Sequence, residues 1–209
     1  MTVVQRIDGD VRITGNLQVD GTLPSYARSN LQQDPNAVFA VPFAHLRVWD
    51  ALGTNLPATP ATDDLGLVGG TFGSASPKVS SGDLKAAGAT SRYARFQFQL
   101  PAEYDAGTSV TVRLHAGMTT TVADTSAVAD VECYKSDSEA GVGSDLCTTA
   151  AQSINSLTDA DKDFTITPTG LTAGDVLDVR LTLTVTDAAT GTAVTADIGA
   201  IEFLVDIKG

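Results

Sequence analysis

Lysine, glutamate, histidine and cysteine are all scarce in this chain, and each shortage closes a class of function. Lysine stands only at positions 78, 85, 135, 162 and 208, and the formal charge over 209 residues is −12. A surface this acidic repels a phosphate backbone and an anionic bilayer, and no stripe of Lys and Arg is present to track nucleic acid. Neither nucleic acid nor membrane is therefore expected as a partner. Glutamate occurs only at Glu103, Glu132, Glu139 and Glu202, so a paired-carboxylate glycosidase would have to lean on aspartates, whose spacing nominates no pair. The two histidines, His45 and His115, both fall in expected strands. They are accompanied by no G-x-S-x-G elbow, no H-E-x-x-H helix and no P-loop. The expectation is a non-enzyme with no catalytic residue, no cofactor and no metal site.

Long apolar runs are missing too. Nothing approaches the roughly 20 residues of a membrane-spanning helix, and Met1–Asp8 turns polar too early for a signal peptide. Cysteine appears twice, at Cys133 and Cys147, too few to build a zinc site. The two enclose a polar, Gly- and Ser-rich stretch that would let antiparallel strands bring them together. A disulfide there would contribute about 3 kcal/mol by constraining the unfolded chain, and two semi-buried free thiols satisfy the sequence equally well. Asp159, Asp161 and Asp163 imitate the opening of a calcium loop. The imitation fails at Phe164, where glycine is needed, and at Gly170, where a glutamate is needed, which leaves a solvated turn. Asp63 and Asp64 read as loop polarity.

What the chain does have is a short repeat followed by alternation. Gly9, Gly15 and Gly21 recur every six residues, in step with Ile7, Ile13 and Val19 and with Val11, Leu17 and Leu23. Such a period means short extended segments turned at glycine corners, as in a triangular β-prism. Three hexads cannot close a core alone, whereas three chains winding about one axis can share it. A pair of hairpins with DG and TG turns is the other geometry; the strict register of both apolar series favours the shared axis. Residues 1–23 are thus an N-terminal β-repeat arm for trimerisation or anchoring, with Ile7, Val11, Ile13, Leu17, Val19 and Leu23 as the expected trimer interface. The polar, proline-bounded residues 24–36 are a linker.

Residues 37–209 read as one all-β domain. Phe39–Trp49 is an expected strand. Ala94, Phe96, Phe98 and Leu100 then alternate with polar residues, as do Val110 to Ala116, Leu177 to Val185 and Ile201 to Ile207, with Phe164–Ile166 between. No segment holds a 3.6-residue period. Many alternating strands without intervening helices imply an antiparallel β-sandwich, a jelly roll ahead of an immunoglobulin-like sandwich. Trp49 and the phenylalanines are expected in its core. Sugar binding through Tyr93, Tyr104 and Tyr134 is a rival use of the aromatics.

Three phrases carry a resemblance. Leu100-Pro101-Ala102-Glu103-Tyr104-Asp105-Ala106-Gly107 between strands, and Phe164 through Arg180, resemble turns of tailed-bacteriophage virion proteins. Gly15-Asn16-Leu17-Gln18-Val19-Asp20-Gly21-Thr22-Leu23 resembles phrases of trimeric phage fibres. The resemblance implies a homotrimeric capsid decoration (cement) protein or short head fibre. Such a protein is made in the host cytoplasm and bound to the major capsid protein on the outer surface of the virion. A receptor- or carbohydrate-binding virion module is the alternative it allows.

Overall fold

The alternation beginning at Leu177 is realised as a twelve-residue strand whose Leu177, Val179, Leu181, Leu183 and Val185 are fully buried while the residues between them stay partly open. This computed structural model describes residues 36–136 and 143–207. The hexad arm, with all six expected interface residues, and the linker up to residue 35 lie outside the described residues. The strands are β1 (Asn36–Ala40), β2 (Arg47–Val48), β3 (Ala51–Asn55), β4 (Gly66–Val68), β5 (Lys78–Asp83) and β6 (Gly88–Gln99). They continue with β7 (Val110–Met118), β8 (Ser126–Lys135), β9 (Gln152–Ser153), β10 (Ala160–Ile166), β11 (Val176–Asp187) and β12 (Thr195–Asp206). Among the described residues there is no α-helix, hence none long and apolar enough to cross a membrane.

Two antiparallel sheets form the sandwich. One has the order β10-β7-β12-β5-β4, with β1 also beside β12, and the other β3-β2-β6-β11-β8-β9. Across them β5 sits with β12, β6 with β11, β7 with β10 and β8 with β9. The second half of the domain therefore retraces the first in reverse. This is one long hairpin rolled up so that β7 also meets β12 and β8 also meets β11. That order is the jelly roll, not the immunoglobulin-like sandwich. The inward residues of both sheets make one core, in which Phe203 of β12 packs against Phe98 and Phe96 of β6 at ring separations of 3.9 and 5.9 Å.

The two motif phrases at 100–107 and 164–180 prove to be adjoining corners. Tyr104 is buried and donates its hydroxyl to the carbonyl of Thr108, while Gly107 turns the chain with φ of +96°. In the other corner Leu171 is buried and the Gly174 N–H donates to the carbonyl of Leu100 at 3.1 Å. Those residues hold the sandwich end together, and Tyr104 is unavailable to stack on a sugar.

Three further expectations need correction. Phe39–Trp49 is not one strand. Pro42 has no N–H for a ladder, and a 3-10 turn follows at Phe43–His45, so His45 is exposed outside any strand. Asp161 and Asp163 are not in a solvated turn. They lie on β10, where Asp163 takes both nitrogens of an Arg113 fork at 2.7 and 2.8 Å and Asp161 meets His115 Nδ1 at 2.8 Å. The cross-strand partners on β7 give an acidic strand its reason to pair. Finally, β5 and β8 are strands that the apolar alternation does not announce.

Candidate functional site

The site is on the outer face of the second sheet, where Tyr93 and Arg95 of β6, Asp178 and Arg180 of β11, and Glu132 and Tyr134 of β8 all point away from the core. The period of two puts them there, because their neighbours Ala94, Phe96, Val179, Leu181, Val131 and Cys133 point inward. Register does the rest. Arg180 is directly opposite Arg95 on one side and Glu132 on the other, and Asp178 is opposite Tyr134.

Two arginines facing each other across a ladder would repel, and each is neutralised by a carboxylate. Arg95 forks onto both oxygens of Asp178, with Nε to Oδ1 at 2.7 Å, and Arg180 pairs with Glu132. The bond to Asp178 holds the Arg95 guanidinium above its usual pKa, against the opposing effect of burial. The local charge is thus balanced in a protein that is strongly acidic as a whole.

Trp49 completes the site, and does so from outside the core in which its residue type would place it. It leaves β2 at a tight reversal and is half-buried over Tyr93, with ring centroids 5.2 Å apart. Its indole Nε1 donates to Asp63 Oδ2 at 3.0 Å. The loop carrying Asp63 is itself tied to β6, where Tyr93 N–H donates to the Asp63 carbonyl at 2.7 Å and Leu65 N–H to the Tyr93 carbonyl at 2.8 Å. Burial, then the neighbouring Asp63 and Asp50, raise the carboxyl of Asp64 beside it. The Arg180 guanidinium lies 5.5 Å from the Trp49 ring and 5.1 Å from Tyr93, a cation over two aromatic faces.

Between these groups is a groove of about 370 Å³ lined by Trp49, Arg95, Glu132, Tyr134, Asp178 and Arg180. Its volume is at the low end of small-molecule sites. Trp49, just past the end of β2, and Tyr134 of β8 both line the groove, with β6 and β11 between their strands. Burial, then the carboxylates of Glu132 and Asp145, raise the Tyr134 phenol. Of the three tyrosines that the sequence offers for sugar binding, Tyr134 lines this groove, Tyr93 packs against Trp49 on the same sheet face, and Tyr104 is in neither place.

The cysteines lie elsewhere. Cys133 is buried on the inner face of β8, Cys147 is half-buried, and both are free thiols. Asp145 Oδ1 accepts the backbone N–H of each at 2.9 Å. Burial pushes the Cys147 thiol up to about 11 and that of Cys133 higher still, so neither supplies a thiolate nucleophile at neutral pH. No group of three or more metal-ligating side chains occurs among the described residues.

No protein-family model matches the chain, and no curated protein matches it by sequence. Distant likenesses exist among solved structures. A xylan-binding module, CBM15, is 14% identical with a TM-score of 0.41, over 83% of this chain and 99% of that one. The infectious bursal disease virus Gx strain structure is 14% identical with a TM-score of 0.37, over 84% of this chain and 33% of the viral one. A Stig cyclase from Fischerella sp. TAU is 12% identical with a TM-score of 0.37, over 86% and 93%. At this distance no ligand or activity transfers from those proteins to this one.

Proposed function

We propose that this chain is a non-enzymatic virion protein, a homotrimer that decorates and stabilises the outside of a tailed-phage capsid. The observation that carries the reading is a jelly-roll strand order in a chain whose residues 7–23 repeat every six. In this reading Ile7, Val11, Ile13, Leu17, Val19 and Leu23 from three chains share one axis. The three sandwiches then touch the major capsid protein together, so that modest single contacts act at high effective concentration. The charge of −12 keeps finished particles apart. The experiment is to add the purified protein to capsids that lack it and heat them. Co-sedimentation with the capsids and a higher temperature of disruption are expected, and an unchanged temperature with no co-sedimentation would overturn the reading.

A second reading, a receptor- or carbohydrate-binding module of the virion exterior, is favoured by the three aromatic side chains held on the outer face of a sheet.

A further inference from the structure

We propose that the groove between Trp49 and Tyr134 binds a neutral pyranose sugar, the class of ligand with one apolar C–H face and a rim of hydroxyls. The inference rests on the carbohydrate-binding reading and assigns its site and ligand class.

Four observations point the same way. First, the chain's single tryptophan is outside the core, at the wall of a groove, and is fixed there by the Asp63 hydrogen bond. A fixed, half-open indole stacks on an apolar ring face without losing side-chain entropy at the moment of binding. Second, the floor is made of side chains with fixed planar geometry, the Arg95–Asp178 fork and the Arg180–Glu132 pair. Each presents a donor beside an acceptor, the pattern that two neighbouring hydroxyls of a sugar can satisfy together. Third, those charges are already balanced. A sugar carrying a carboxylate or sulfate would have to displace Asp178 or Glu132 from its arginine while approaching a protein of charge −12. The site therefore selects against acidic glycans. Fourth, a groove of about 370 Å³ open along the sheet takes one or two sugar rings of a longer chain.

A larger cleft between Lys78, His115, Asp159 and Leu157 has no tryptophan, tyrosine or phenylalanine in its wall. Lys78 there is taken up by the buried Asp197 at 2.6 Å.

The test uses the full chain on an array of neutral and acidic oligosaccharides, followed by titration of the best binders against tryptophan emission. Because Trp49 is the only indole, a change in tryptophan emission reports the surroundings of a residue in the groove wall. Binding of neutral glycans with a shift in Trp49 emission is expected, weakened about tenfold by Tyr134→Ala through loss of one aromatic contact. Tyr134 is on an outer sheet face, and an unchanged melting temperature of Y134A separates lost binding from lost folding. Glycan binding that leaves Trp49 emission and Y134A affinity unaltered, or binding of acidic glycans alone, would overturn the groove assignment while leaving the carbohydrate reading in place. Binding of no glycan at all would overturn both, and neither result bears on capsid decoration.

Discussion

Tyr104 and Trp49 exchange the places that residue type alone assigns to them. A tyrosine in a turn phrase is a natural candidate for a ligand platform, yet Tyr104 is 1% exposed and ties its hydroxyl to Thr108. Tyr104→Phe leaves the packing intact and deprives that carbonyl of its donor, so a loss of about 1 kcal/mol is expected in urea unfolding. Trp49 is legible in the sequence only as a large apolar residue. What holds it outside is Asp63, fourteen residues later in a loop, and no local pattern announces that bond. The aspartates carry a pH signature of their own. Val194 and Lys85 N–H groups, each 3.0 Å from Asp83 Oδ1, hold that carboxyl below its usual range. A folded pKa below the unfolded one means that the stabilisation is complete above about pH 4 and is lost as the pH falls through the folded value. The difference in denaturation midpoint between the wild type and Asp83→Ala should therefore be largest at neutral pH and shrink toward pH 2.

At the scale of elements, the strands that can be read from sequence are those whose inner faces are large and aliphatic. β11 alternates Leu and Val with polar residues along its whole length, and it is central in its sheet, between β6 and β8. Leu181→Ala there removes a fully buried side chain where both neighbouring strands restrict collapse, and a loss of about 2–5 kcal/mol is expected from the denaturation midpoint. β8 is invisible for the opposite reason. Its inner face is Ala127, Ala129, Val131 and Cys133, small residues that fill the space opposite a crowded β11, while Val128 faces outward and blurs the alternation. The outer face of the same strand supplies Glu132 and Tyr134, so a reading without β8 lacks two of the six groove residues. The pairing of β6, β11 and β8 that assembles the site depends on long-range register, which period-two patterns leave open.

For the whole molecule, alternation ranks a jelly roll first without fixing it, because strand count constrains topology far less than pairing order does. The order found here has a consequence for assembly. Each sheet already has its inner face covered by the other, so the sandwich supplies its own core, and the apolar series at Ile7 to Leu23 is not needed for that purpose. If those residues form a shared axis, their removal should cost the oligomer and spare the fold. Light scattering of the full chain beside a version starting at Ala37 tests this directly. The expected outcome is a trimer for the first and a folded monomer for the second, with the thermal unfolding of the sandwich retained. Leu17→Asp in the full chain should behave like the truncation, since a carboxylate buried on a threefold axis meets two copies of itself. A truncated protein that stays trimeric would move the interface to the sandwich. A full chain that is monomeric would remove the effective-concentration gain on which capsid binding by three modest contacts depends, leaving the Trp49 groove to act as a single site.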